Sequence, residues 1–398
     1  YFQMGSTIYQ DKPTKSIFDL STITDVGRHY FNVELPSNAT SLLANSAGYH
    51  FLTFAPYEYQ SRFSHNLYTT LRRAFLLEYA HSSRAQKTQL LEMSIDFCRY
   101  MQQGIPVLTR FFLEFLPHET GDFRGELLRL LEWCTLVSTG DLTEIVAPFL
   151  DSMFLESSLL EKCAIIRSLR RFLRNLFVNQ NFGKGASSSP FLGQVPVSDL
   201  SDLLPIIGKI AERIVVKGMN ITFGDPIFLN ESLNFYEELL RLLGSLDTPV
   251  LLLPPSPLVY GAFCSKSCAI LSKICGILLK CREICGEVIR GGFQAEFVDE
   301  IEELGKFGRD LGEALWNSRV FERKGGYFEN LKNDIEDILP DDAEYRLDIM
   351  RHIAILPYMC TLGGTGLHLS SKNAALFLAE SYFPKVSEFI EIFDEPFQ

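Results

Sequence analysis

Residues 159–178 read LLEKCAIIRSLRRFLRNLFV. At helical spacing Cys163, Ile166, Leu169, Leu173 and Leu176 recur at steps of three and four, and Ile165 and Phe172 widen that face. Arg167, Arg170, Arg171 and Arg174 fall at i, i+3, i+4 and i+7 and share the remaining stripe. A helix that is apolar over more than half its circumference needs cover on two sides, so helices must lie before and after it. The pattern predicts a helical scaffold with one cationic strip. It specifies no reaction.

Working outward, the chain reads as a succession of helices. Upstream they are predicted at 57–80, 85–103, 105–116, 123–137 and from Asp141 to about Phe154. Gly104 reads as the stop of the second, Pro106 as the first turn of the third, Asp122 as the cap of the fourth, and Asp141 with Glu144 as the start of the fifth. Downstream, residues 180–197 are rich in Gly, Ser and Pro and read as a mobile loop, the first site for limited proteolysis. Helices resume at 198–217, 226–246, 258–283, 294–316, 326–338, 343–360 and 371–393, with Asp225-Pro226 as a cap followed by a first-turn proline. The apolar run Val250–Leu253 has no partner strand nearby and reads as a connector. No segment alternates with period two for long. Two helices with their turns take roughly 36–40 residues, the period of helical-pair solenoids of the HEAT or armadillo type. The predicted fold is therefore an all-α, HEAT-like helical-repeat solenoid of right-stacked antiparallel helix pairs. A globular helical domain at 258–393 on a short solenoid is the alternative. The domain layout expected is 1–4 as a tag remnant, 5–56 of uncertain structure, repeats over 57–179, the loop 180–197, and repeats over 198–393. Tyr1-Phe2-Gln3-Met4 resembles the tail of a cleavable tag before a start methionine.

Charge is unevenly placed. The chain carries 37 basic and 49 acidic residues, a formal net charge of −12. This balance argues against a chain that wraps nucleic acid along its whole length. Between Ser158 and Pro190 the balance is about +5, and between Glu296 and Asp348 about −9. No apolar run is long enough to span a membrane, and the sequons at Asn38, Asn220 and Asn230 read as chance matches. Nine cysteines without a secretory signal indicate a reducing compartment. Cys264, Cys268, Cys275, Cys281 and Cys285 lack the close pairs and nearby histidine of a zinc site, and read as small buried hydrophobes.

Catalytic motifs are missing from the sequence: there is neither G-x-S-x-G nor G-x-x-x-x-G-K-[ST]. GGTG at 363–366 reads as a turn, Lys184 as part of a polar loop, and the carboxylates from Asp299 to Glu303 as a solvated helix face. The seven histidines are scattered, and His352 reads as an ordinary surface or packed residue. The sequence thus points to no catalytic residue, cofactor, metal or small-molecule substrate. The candidate contact residues are Arg167, Arg170, Arg171 and Arg174. As a bland alternative, these arginines form a solvated edge ion-paired to neighbours such as Glu161 and Glu156. As a functional one, they meet phosphate backbone or an acidic partner helix.

Three stretches carry a family resemblance. QQGIPVLTRFFLEFLPHETGDFRGELLRLLEW (102–133), LTEIVAPFLDSMFLESSLLEKCAIIRSLRRFLRNL (142–176) and FLNESLNFYEELLRLLGSLDTPVLLLPPSPLVYGAF (228–263) resemble the centromere protein I family, as does ALWNSRVF (314–321). The ordered set carries the likeness, above all Phe235-Tyr236-Glu237 followed by Pro249 and Pro254-Pro255…Tyr260. It covers roughly 67–360, collinear with the family's C-terminal half, and leaves 5–60 and 361–398 outside. The resemblance implies a non-enzymatic inner-kinetochore scaffold of HEAT-like repeats, in the nucleus at the centromere, assembling with centromere proteins H, K and M. Centromeric DNA or a nucleosome is a further candidate ligand for the basic strip. A helical-repeat adaptor of another nuclear pathway, such as transport or chromatin assembly, is the alternative.

Overall fold

A computed structural model of the chain describes residues 15–36, 38–79, 81–136, 138–183, 200–246, 250–317, 321, 326–335, 346–359 and 372–394. It is all-α and helical-repeat-like, and the paired strands among the described residues are two residues each, Lys15–Ser16 beside Val33–Glu34. The chain forms two compact units: Tyr1–Phe149 with Asn175–Ser198, and Leu150–Arg174 with Asp199–Gln398. Of the loop expected at 180–197, residues 180–183 still belong to a helix, and residues 184–197 lie outside the described residues, as do GGTG at 363–366 and His368.

After shorter helices at Ile23–His29, Ala39–Leu43 and Ser46–Phe54, the first unit includes α1 (Tyr57–Arg72), α2 (Arg84–Met101), α3 (Pro106–Phe115) and α4 (Arg124–Leu131). α1 packs on α3 and α2 on α4, so helices two apart in the chain lie side by side, as in stacked repeats. Ser83 opens α2 with a full capping box: Gln86 N donates to Ser83 Oγ at 3.3 Å and Ser83 N to Gln86 Oε1 at 3.0 Å. α2 stops at Gln102, in the left-handed region with φ +52°, not at Gly104. Gly104 serves a different purpose: a Cβ there would collide with the carbonyl oxygen of Trp133. Phe123, not Asp122, occupies the cap position of α4, and Glu119 Oε1 takes the N–H groups of Gly121 and Phe123 at 2.6 and 3.2 Å. Asp141 lies inside the first turn of its helix and gives its N–H to the cap, Ser138 Oγ, at 3.2 Å. Phe75, Phe111, Phe115 and Phe123 form the aromatic centre, with centroids 5.1–5.3 Å from Phe75. The abundance of Phe is used here as the sequence suggested, between helix layers.

The second unit holds most of α5 (Ala147–Glu156) and α6 (Leu159–Gly183), followed by α7 (Leu200–Thr222), α8 (Pro226–Leu243), α9 (Ser256–Phe263), α10 (Cys268–Arg290), α11 (Val298–Asn317), α12 (Tyr327–Ile335), α13 (Lys372–Tyr382) and α14 (Pro384–Asp394). Asp225 caps α8 as expected, accepting from Ile227 N at 2.8 Å. Residues 250–255 form neither helix nor strand, as a connector should. Three expected helices differ. The one at 258–283 is two, α9 and α10, separated by a turn in which Ser267 N donates to Ser265 Oγ. Cys264 sits in that turn and is exposed, whereas Cys268, Cys275, Cys281 and Cys285 are buried as expected. Of the helix expected at 343–360, the described residues 346–359 form turns ending in the four-residue Leu356–Met359, and His352 among them is fully buried. The helix at 371–393 breaks before Pro384, which has no N–H for the helical ladder.

Candidate functional site

The central helix folds as its pattern requires. Cys163, Ile165, Ile166, Leu169, Phe172, Leu173 and Leu176 are each at most 3% exposed. The arginines emerge on the other side: Arg167 and Arg170 half-buried, Arg171 and Arg174 exposed. They do not stand over open solvent alone. Arg167 Nη2 donates to Glu231 Oε1 at 2.8 Å, and Arg174 Nε lies 3.9 Å from Glu238 Oε1. The ion pairing of the bland reading therefore exists, with acids supplied by α8. Glu161 also accepts from the N–H and hydroxyl of Ser158 at 2.7 and 2.8 Å.

Both pairs join residues 64 apart, so α6 and α8 run parallel through one register. Arg241, one turn beyond Glu238, grips that carboxylate with Nη2 at 2.6 Å and Nε at 3.1 Å. These bonds, then the charges of Arg241, Arg174 and Arg170, hold the Glu238 carboxyl below its ordinary range against the opposing effect of burial. α10 continues the surface. Its Lys273 lies 3.5 Å from Glu237 and bonds Asn234, and its Lys280 pairs with Glu283 at 2.6 Å. The Lys385 stem passes Gly276 of α10 at ordinary van der Waals distance.

Together α6, α8, α10 and the α13–α14 junction enclose an open groove of about 1210 Å³. Seven basic side chains line it, Arg170, Arg171, Arg174, Arg241, Lys273, Lys280 and Lys385, against three acids, Glu237, Glu238 and Glu283. Leu240, Ala269, Ile277 and Leu279 give it an apolar floor, and Tyr382 and Phe383 stand at one wall. Three of the four candidate arginines thus share one concave wall, while Arg167 is engaged farther along the α6–α8 seam. The other four cations escaped the sequence reading because each lies on a different element from the strip. Two of them carry a helical signal: Lys273 and Lys280 are seven apart on one face of α10.

The buried thiols are poor nucleophiles, since burial pushes Cys98 and Cys268 up to about 12. Among the described residues no three His, Cys, Asp or Glu side chains gather to hold a metal ion. No helix of the described residues is long and apolar enough to cross a membrane.

A family model described as Mis6, of the CENP-I family, matches residues 5–187. Centromere protein I of Rattus norvegicus is 23% identical over 340 residues, 82% of this chain and 45% of the rat protein. The Mus musculus protein of that name is 23% identical over 343 residues, with the same coverage, and that of Gallus gallus 24% identical over 276 residues, 65% of this chain and 36% of its own length. The chain is similar to the centromere protein I family. It spans about half the length of the relatives it matches. Because the centromere protein I model begins at residue 5, the segment 5–60 belongs to the match, and its exclusion from the resemblance is corrected. The residues that carried the resemblance are largely interior ones. Phe235 and Tyr236 are at most 1% exposed, and Tyr260 is buried with its hydroxyl donating to Asp310 Oδ2 at 2.8 Å. Tyr260 also stacks on Tyr327, centroids 3.7 Å apart. Asp310 and Asp348 are buried in an acidic segment whose Asp299 and Glu302 are exposed.

Proposed function

We propose that this chain is a non-enzymatic scaffold of the inner kinetochore, acting in the nucleus at centromeres by binding other centromere proteins. The observation that carries the reading is the match to proteins named centromere protein I over 82% of the chain. Centromere proteins H, K and M are the partners, and the groove between α6, α8 and α10 is the contact surface. Its cationic wall over an apolar floor suits an acidic segment that also buries side chains. Mixing the purified chain with centromere proteins H, K and M and running size-exclusion chromatography tests this. Co-elution as one complex is expected, and exchange of Arg170, Arg171 and Arg174 for Gln weakens it. Separate elution of all four proteins overturns the scaffold reading, and co-elution unaffected by the exchange removes the groove from it.

A second reading keeps the same surface and gives it centromeric DNA or a nucleosome. The excess of seven cations over three acids on a concave wall favours it, since phosphate contacts need positive charge and no particular base. Salt separates the two ligands. Three lost phosphate contacts flatten the slope of log K against log salt by about 2.7. A partner held by apolar burial changes far less, because salt screens charge and leaves the hydrophobic contribution nearly intact.

A further inference from the structure

Arg167–Glu231 and Arg174–Glu238 are two rungs between α6 and α8 at a constant spacing of 64 residues. The same spacing sets Arg170 beside Asn234, and both side chains line the groove. The middle rung therefore has a cation and no acid. Glu238, one turn on, does not make good the difference. Arg241 grips that carboxylate with two bonds, and Arg174 stands 3.9 Å from it. Arg170 is half-buried and makes no hydrogen bond or ion pair among the described residues.

The groups around Arg170 are donors as well. Lys273 of α10 donates to Asn234 Oδ1 and lies 3.5 Å from Glu237. An ammonium group can only donate, so the amide oxygen of Asn234 faces it and the two Nδ2–H bonds are left for another acceptor. Ser272, next to Lys273, is half-buried in the same wall, and its hydroxyl makes no hydrogen bond among the described residues. Three elements, α6, α8 and α10, thus bring donors to one wall without a matching acceptor. A partly buried guanidinium is stabilised when an anion meets it there.

The anion that fits is compact. A duplex presents a row of phosphates, and Glu237, Glu238 and Glu283 interrupt the cations along the wall. A single phosphoryl group needs only the middle rung. It carries close to two charges on three acceptor oxygens, which suits a guanidinium, an amide and a hydroxyl better than a carboxylate does. The apolar floor and Tyr382, 68% exposed at the wall, accommodate the side chains on either side of it.

We propose that the groove reads a phosphorylated serine or threonine in a segment of another protein, with the phosphoryl group on Arg170, Asn234 and Ser272. The inference rests on the groove being a contact surface and adds that a kinase acting on the partner switches the contact.

The probe is a fluorescein-labelled mixture of synthetic peptides with a central phosphoserine and varied acidic and apolar flanks, titrated by anisotropy at near-physiological salt. The same mixture with serine at its centre is the control. The phosphorylated mixture is expected to bind about tenfold more tightly or better, as charge-assisted bonds to a dianion do. Arg170→Gln removes that preference, and the variant melts with the parent because Arg170 holds no described partner. Asn234→Asp keeps the shape and the acceptor for Lys273 while giving the rung its own acid. The preference then vanishes and the melting temperature does not fall. Equal binding of the two mixtures by the parent overturns the proposal and leaves the size-exclusion test to decide whether the groove is a contact surface at all. A preference that survives both variants places the phosphate elsewhere and overturns it too. If both variants melt lower than the parent, the rung serves the fold and the proposal falls. A duplex oligonucleotide that binds more tightly than the phosphorylated mixture, and is weakened by Arg170→Gln, would assign the rung to nucleic acid and equally overturn it.

Discussion

His352 illustrates how much one buried side chain contributes. Its Nδ1 accepts from Ala354 N at 3.2 Å, so the neutral ring carries its proton on Nε2, and Phe263 packs edge-on at 5.2 Å. Burial lowers the imidazole to about 4, against the smaller opposing effect of hydrogen bonding from the ring to the Phe263 backbone. The folded state therefore binds this proton less readily than the unfolded chain, where histidine titrates near ~6.5. Stability from the neutral ring is complete above that pH, and it is lost as pH falls toward 4. The loss is on the order of 2–3 kcal/mol over the window. Urea midpoints at neutral pH and near pH 5 test this: His352→Phe should show a shallower decline than the parent. An equal decline in both proteins would show that other groups govern the acid limb.

At the scale of elements, apolar periodicity was the legible signal and helix boundaries were not. The buried face of α6 follows residue by residue from spacing, because burial of one stripe is a property of the helix itself. Caps depend on where the backbone turns into the helix: Ser138 takes the cap expected of Asp141, and α4 starts from Phe123 without a side-chain cap bond. The break between α9 and α10 left no glycine or proline in the sequence to announce it. The groove was half legible: the arginine strip is local, but Arg241, Lys273, Lys280 and Lys385 join it only through packing of α8, α10 and α14. The Ser83 capping box offers a local check. Ser83→Ala removes the bond to Gln86 N, and the expected cost is about 1 kcal/mol in a denaturant titration.

For the molecule as a whole, the groove predicts a salt response. Arg170→Gln, Arg171→Gln and Arg174→Gln together should leave the helix content of the circular dichroism spectrum unchanged. Neutral glutamine is the safer exchange than glutamate, which would place a new negative charge 3.9 Å from where Glu238 already sits. If DNA is the ligand, the triple variant flattens the salt slope by about 2.7; a wild-type slope would dismiss DNA from this wall. The parallel course of α6 and α8 has a consequence for how this chain tolerates change in length. Arg167–Glu231 and Arg174–Glu238 share a single offset of seven residues along both helices. One residue inserted in α8 between Glu231 and Glu238 turns everything beyond it by about 100° around the axis. Glu238 then leaves Arg174, and Leu239, Leu240, Leu242 and Leu243, now buried, rotate out of their layer. The same insertion in the turn at 223–225 leaves the phase of α8 intact. Single-residue insertions scanned across 222–240 should therefore be tolerated in the turn and unfold the second unit once inside the helix, a boundary that thermal melts would locate.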